Sequence, residues 1–332
     1  SIGGGTWFID PLYYAVKAAA EQGVVVVVAA GNEGDTIGSM SVGSPGDIEY
    51  AITVAATNVG GTAVKSYSSY GPTVRFSVKP DIAGPSGTAV IWIPPANYQS
   101  SAEGTSFSSP HVAGAAALLA DYLKSQGISG KERVGAIKAA LMKTAKHVGS
   151  YGELKVGAGY VQVDSAFDLL KSQIESGSLK LSTVFPSTIP SGITTAKTYF
   201  PFKEKIFRGM KLEFNVSLVI SYSTQVTVTL DSELSNVFDP HYLTVFNVTA
   251  GTNIWEFNVT VKDNAPLGSH EGVLTFKDED NNVIGTITFK FVVEEPNLFW
   301  AFDIKHTGWV PMDFRWGQFN EFSILLESLG VA

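Results

Sequence analysis

The stretch Gly104-Thr105-Ser106-Phe107-Ser108-Ser109-Pro110 holds the residues best suited to chemistry in this 332-residue chain. It ends an irregular segment and leads into a helix expected over 109–126, with Pro110 in the first turn and Gly127 past the end. A serine at such a junction has its oxygen in the positive field of a helix N-terminus, where unpaired backbone N–H groups can stabilise an incipient oxyanion. Small neighbours let a substrate backbone approach. Taken alone, Thr-Ser-x-x-Pro is more often a helix cap, so the surrounding elements must decide.

Those elements change character along the chain. A helix is expected over 11–22, stopped by Gly23, then an apolar strand over 24–30 buried on both faces. A short strand over 51–56 and an amphipathic helix over 131–146 follow. Strand and helix in alternation predict an α/β fold with a parallel sheet. Residues 1–175 hold 25 alanines and 15 aromatics, whereas 176–332 hold 5 and 23, and alanine favours helix while aromatics favour strand. In the later part Leu212, Phe214, Val216, Leu218, Ile220 and Tyr222 alternate with Glu213, Asn215, Ser217 and Ser221. Trp255, Phe257, Val259 and Val261 repeat that period, as do Ile287, Phe289, Phe291 and Val293. The pattern predicts an all-β antiparallel sandwich over 176–296, with 176–192 as linker or first edge strand. Residues 297–332, dense in aromatics from Trp300, read as the start of a further module or a C-terminal extension.

Composition removes several classes of function. The formal net charge of -8 speaks against a phosphate-neutralising surface, and so against nucleic acid as a partner. Cysteine is absent, which removes disulfides, Cys-ligated metals and thiol nucleophiles. The longest apolar run, 24–30, is far short of the roughly 20 residues of a membrane-spanning helix.

In this setting the run from Gly104 to Gly114, Gly-Thr-Ser-Phe-Ser-Ser-Pro-His-Val-Ala-Gly, strongly resembles the nucleophile motif of the subtilisin-like serine proteases, the subtilases. Residues 25–34, Val-Val-Val-Val-Ala-Ala-Gly-Asn-Glu-Gly, resemble the subtilase strand that ends at the oxyanion-hole asparagine. The resemblance implies Ser106 as nucleophile and Asn32 as side-chain oxyanion donor. Residues 41–46 are similar to the floor of the family's primary specificity pocket, 67–72 with 79–85 to the stretch preceding the nucleophile, and 157–163 to the closing Gly-x-Gly segment. It covers about residues 1–171 and implies a catalytic-domain portion over 1–175. It also implies Ser1 and Gly3 on a substrate-pairing edge strand, with Gly3, Ala29, Gly31 and Gly43 around a roomy, apolar first pocket. Calcium is implied as well, with no ligand assigned. Residues 266–274 resemble a hairpin of the Ig-like or fibronectin-III-like modules that often follow large subtilase domains.

A nucleophilic serine needs a general base and a group to orient it. In subtilases these are a His followed by Gly-Thr or a near variant and an Asp in an Asp-Ser/Thr-Gly turn. None of the five histidines here is followed by Gly, and no Asp begins such a turn. His111 lies five residues along the helix, about 140° round from Ser106, and reads as a buried histidine of that helix. Lys79 or Lys65 could form a Ser-Lys pair, but the simpler reading of each is a solvated lysine.

The expectation is therefore that residue 1 enters the fold midway, with its first strands missing. An upstream segment of the same precursor would supply Asp and His, and without it a sheet edge is exposed and the chain is inactive. The overall reading is a serine endopeptidase acting on polypeptides, the alternative a catalytically silent subtilase fold used as a surface or scaffold protein. Sequons at Asn215, Asn247 and Asn258 point to a secreted or cell-surface glycoprotein. Asp278-Glu279-Asp280-Asn281-Asn282 could bind calcium but reads as a solvated hairpin turn.

Overall fold

The computed structural model describes residues 11–92, 97–188, 194–195 and 205–295. Two compact units result: Ser1–Thr183 with Ser217–Thr224 and Val248–Asn253, and Val184–Val216 with Gln225–Asn247 and Ile254–Ala332.

In the first unit, helix α1 (Pro11–Glu21) precedes strands β1 (Val27–Ala29), β2 (Ile52–Thr57) and β3 (Ile82–Pro85). They form a parallel sheet in the order β1-β2-β3, with Val28 opposite Thr53 and Val54 opposite Ile82. The antiparallel pair β4 (Thr88–Trp92) and β5 (Asn97–Ala102) leads into α2 (Thr105–Ser125), followed by α3 (Gly130–Lys143), α4 (Glu153–Val156) and α5 (Val163–Glu175). The central strand β2, built from small and β-branched residues, is buried at every position, as a parallel strand covered on both faces requires. Helix α2 lies across all three strands and buries Val112, Ala115, Ala116, Leu119 and Leu123, a stripe at helical spacing.

Five expectations need correction here. The strand expected over 24–30 enters the ladder only from Val27, with residues 25–29 half-buried and Val24 exposed, because β1 has one strand neighbour among the described residues. No helix joins β1 to β2 or β2 to β3; the crossovers that parallel strands need run as the loops 30–51 and 58–81. Helix α2 starts at Thr105, so Pro110 lies inside it, not in its first turn. Helix α3 is not amphipathic: Val134 to Met142 are buried without a break. The turns 217–224 and 248–253 close over it, and a Cβ on Gly135 would stand 1.9 Å from the Ile220 carbonyl oxygen and 3.0 Å from the Gly251 nitrogen. That enclosure also ends the expected alternation. Ser217 and Ser221 are buried instead of facing solvent, and the Ser221 hydroxyl donates to the Leu179 carbonyl and accepts the Leu181 N–H.

Under the sheet lies a buried charge cluster. Asp81, just before β3, accepts the Thr53 N–H at 2.8 Å and the Lys79 ammonium at 2.6 Å on Oδ2. Lys138 of α3 stands 3.5 Å from Asp81 Oδ1 and donates to the carbonyls of Glu49 and Ala51 at 2.7 and 2.9 Å. Lys79 is therefore a buried, paired cation and not a solvated one. Burial pushes Lys138 down to about 8, with Asp81 opposing the fall. Across the window from about pH 8 to 10.5 the unfolded chain holds a proton that the folded chain has released, so stability from this group rises with pH, by at most on the order of 3 kcal/mol. Urea unfolding near pH 7.5 and near pH 10 should show the wild type gaining stability relative to Lys138→Met. A difference between the two proteins that does not change with pH would contradict this.

The second unit is built from β-strands. Strands β6 (Ser182–Pro186), β7 (Thr194–Thr195), β8 (Lys205–Phe207), β9 (Lys211–Ile220) and β10 (Thr224–Leu230) lead to the short helix α6 (Ser232–Val237). Strands β11 (Phe238–Pro240), β12 (Val245–Val248), β13 (Gly251–Val261), β14 (Gly268–Lys277) and β15 (Val283–Glu294) follow. One sheet has the order β12-β10-β14-β15-β7, with β8 added in parallel to β15; the other is β11-β13-β9-β6. Phe214 and Phe257 of the second sheet meet Phe289 of the first at 5.7 and 5.3 Å, and Phe238 meets Phe291 at 5.3 Å. Aromatic edges and faces thus fill the space between the inner faces. The turn 278–282 is not simply solvated: the buried Asp278 carboxylate accepts the N–H and side-chain amide of Asn282 and closes the turn itself. Among the described residues no helix is long and apolar enough to cross a membrane.

Candidate active site

The site lies past the C-terminal ends of the parallel strands, where ligands meet α/β sheets. Strand β1 delivers Asn32, β3 delivers Ser86, and α2 points its N-terminus at the same place. The residue before α2 is Gly104 at φ 137°, a conformation that favours glycine, and no side chain caps the helix. The Gly104 N–H is shared between the Ser86 and Tyr67 hydroxyl oxygens, at 3.0 and 2.9 Å. Ser106 follows as the second residue of α2, half-buried, in the positive end of the helix field.

Thr105 does not cap its own helix but ties it to the β1 turn. Its N–H donates to Asn32 Oδ1 at 2.8 Å, its hydroxyl faces both the Gly31 carbonyl and Asn32 Oδ1 at 3.1 Å, and it accepts the Gly31 N–H at 3.2 Å. A backbone N–H can only donate, so the Asn32 atom facing it is the oxygen. The amide's oxygen end is thereby held by Thr105 and Nδ2 is its donor end; both flank Gly104, where an added Cβ would lie 3.6 Å from Nδ2 and 3.7 Å from Oδ1. Asn32 and Ser106 are thus brought together by one intervening residue.

The turn itself is held from the other side. Asn32 N–H donates to Glu33 Oε2 at 2.8 Å, the Ser69 hydroxyl donates to the same oxygen at 2.9 Å, and Glu33 N–H donates back to Ser69 Oγ at 3.0 Å. Ala29, Gly31 and Gly43 are half-buried beside it. A Cβ on Gly46 would stand 2.9 and 3.1 Å from the carbonyl oxygens of Gly43 and Ala29, so this glycine lets the two segments close on each other. Next to it, burial pushes the Asp47 carboxyl up, with Arg75 opposing. Ser1 and Gly3 lie outside the described residues, as do the aromatics from Trp300.

His111 is exposed, not buried, and its Nδ1 lies 2.7 Å from the carbonyl of Phe107 on its own helix. It sits on a face of α2 where Pro110, Ala113, Gly114, Ala117 and Leu118 are exposed too. Lys65 pairs with Glu103 at 2.5 Å, and Lys79 is committed to Asp81. The cross-link by Thr105, the Glu33–Ser69 pair and the Lys79–Asp81–Lys138 cluster were not legible as a site in sequence, although Ser69 and Asp81 fall within blocks already marked as family-like.

Comparison with known proteins finds similar sequences and a similar fold. Residues 1–162 match the model of the subtilase family, Peptidase S8. Pyrolysin of Pyrococcus furiosus is 32% identical over 211 residues, 52% of this chain and 15% of that protein. Serine protease AprX of Bacillus subtilis is 40% identical over 129 residues, 33% of this chain and 29% of that protein. The chain therefore spans well under half of either relative. The solved structure of tripeptidyl peptidase 2 is similar in fold over 91% of this chain and 24% of its own, with a TM-score of 0.50 at 19% identity.

Proposed function

We propose that this chain is the nucleophile-bearing part of a subtilisin-like serine endopeptidase acting on polypeptides. The observation that carries the reading is the Thr105 cross-link, which ties the Asn32 amide oxygen to the residue before Ser106 and leaves the nitrogen as its donor end. Ser106 Oγ attacks the scissile carbonyl, forming the C–O bond of a tetrahedral intermediate. Asn32 Nδ2 and the Ser106 N–H hold the oxyanion. A base takes the serine proton and passes it to the departing amine as the C–N bond breaks, and water then hydrolyses the acyl-enzyme.

The base and its orienting carboxylate are assigned to polypeptide outside the described residues, on a segment preceding residue 1. Two observations support this: the exposed small-residue face of α2 around His111, and the unpaired outer edge of β1 among the described residues. Ala29, Gly31 and Gly43, with Ser1 and Gly3, form the substrate cleft in this reading. The later sheets form an Ig-like or fibronectin-III-like module. An extracellular, glycosylated protein is proposed from the sequons, of which Asn247 is exposed. Calcium is proposed from the family resemblance alone, with no ligand assigned; among the described residues no group of three or more Asp, Glu or His side chains converges.

In the intact protein a fluorophosphonate should add one phosphonyl group to Ser106, read as a mass shift on the peptide carrying 104–114, and Ser106→Ala should remove it. Failure to label the intact, folded protein would favour a silent scaffold.

A further inference from the structure

Glu33 follows the proposed oxyanion donor and is exposed, so its charge could face the residue of a substrate that precedes the scissile bond. Its geometry gives it another task. One carboxylate oxygen, Oε2, accepts both the Asn32 N–H at 2.8 Å and the Ser69 hydroxyl at 2.9 Å. Ser69 is fully buried, accepts the Glu33 N–H, and donates its own N–H to the Gly31 carbonyl at 3.0 Å. Each Ser69 and Glu33 group in this ring has a definite donor or acceptor role, with the single hydroxyl proton spent on the carboxylate. The backbone is shaped to admit the ring. Gly31 has φ 113°, and a Cβ there would stand 2.6 Å from Glu33 Oε2 and 2.7 Å from Ser69 Oγ.

We infer that Glu33 is a positioning residue: its carboxylate, clamped between the Asn32 N–H and the Ser69 hydroxyl, sets the 31–33 turn and hence the aim of the Asn32 amide, and it does not select substrate charge. The inference rests on the oxyanion role proposed for Asn32. The Asn32 side chain is held at its oxygen by Thr105 from α2, while its backbone is held by Glu33 and Ser69 from the loop before β3. Loss of the second hold frees the turn to shift relative to Ser106, and a displacement on the order of 1 Å in a reacting constellation can cost up to about 10²-fold in rate.

The test uses the intact protein and a set of peptides differing only in the residue before the scissile bond: phenylalanine, lysine or glutamate. Glu33→Ala should lower kcat by roughly tenfold on all three alike, with KM within about twofold. Glu33→Gln keeps an acceptor oxygen at the same place and should restore most of kcat, also on all three. Ser69→Ala should behave as Glu33→Ala, and serves in its place if that variant melts early. The inference is overturned if Glu33→Gln changes the lysine-to-phenylalanine ratio of kcat/KM as much as Glu33→Ala does, or if both Glu33→Ala and Ser69→Ala keep full kcat. Ser106-dependent cleavage with a charge-selective Glu33 removes only this inference. Absence of Ser106-dependent cleavage removes the peptidase reading, and this one with it.

Discussion

Replacing Asn32 by alanine should lower kcat about 10²- to 10³-fold, the loss known for removing one such donor in a subtilisin, while KM stays within about threefold. The expectation follows from the way the amide is held. Its oxygen is spent on the Thr105 N–H and hydroxyl, so only the nitrogen end is left to meet a developing negative charge. A donor fixed in place before the reaction acts in the transition state and pays no reorganisation there, so the effect belongs in kcat. Alanine removes that donor but also leaves the Thr105 N–H at the start of α2 without its acceptor. Asn32→Asp separates the two roles: it keeps an acceptor for Thr105, offers no N–H, and should be at least as inactive as Asn32→Ala. Steady-state kinetics of both variants in the intact protein decide the matter, and a wild-type kcat for Asn32→Asp would end the oxyanion assignment.

Asp81→Ala should cost about 3–5 kcal/mol of folding stability, a large part of the 5–15 kcal/mol typical of a folded protein. Asp81 is the carboxylate between two buried ammonium groups, Lys79 and Lys138, and it also completes the junction of β2 and β3 by accepting the Thr53 N–H. Its removal leaves two cations with far less compensation in a region closed to water. Burial alone would raise the Asp81 carboxyl, but Lys138 and Lys79 hold it below the ordinary carboxylate range. Its contribution is therefore present at neutral pH and is lost as pH falls below about 4. Denaturant unfolding of Asp81→Ala, set beside Lys79→Met/Asp81→Leu/Lys138→Met, tests the cause. The triple variant removes every charge at once and should recover most of the loss, because apolar side chains of similar size need no partner. A single variant within about 1 kcal/mol of wild type would show that the cluster is not electrostatically committed.

The fold and the site were legible to different depths. Helix α1, strand β2 and the aromatic strands β13 and β15 stand where the local patterns place them, since each pattern is set by neighbours along the chain, whereas 266–274, expected as part of a hairpin, lies mostly within the single strand β14. Strand β1 is shorter and more open than its run of valines suggests, because burial depends on how many neighbours a strand has. The start of α2 moved from 109 to 105, since Pro110 could be carried inside the helix and Gly104 at positive φ could begin it. His111, Lys79, Ser217 and Ser221 were each assigned the wrong exposure. In every case a distant segment, or its absence among the described residues, set the environment, and no spacing along the chain carries that information.

The chain by itself determined the chemistry on offer: a serine at a glycine-led helix entrance, an asparagine after an apolar strand, and no cysteine or suitable histidine to rival them. Those are properties of residue types and local order, which covalent sequence fully contains. Only the tertiary structure decided how Asn32 is aimed, that Thr105 faces another strand and not its own helix, that Glu33 turns inward to Ser69, and that Lys138 meets Asp81. Each of these is a contact between residues many positions apart, with the Asn32 amide oriented through a hydrogen bond spanning 73 residues. Such a contact exists only once loop closure has been paid for by the burial of the sheet beneath it.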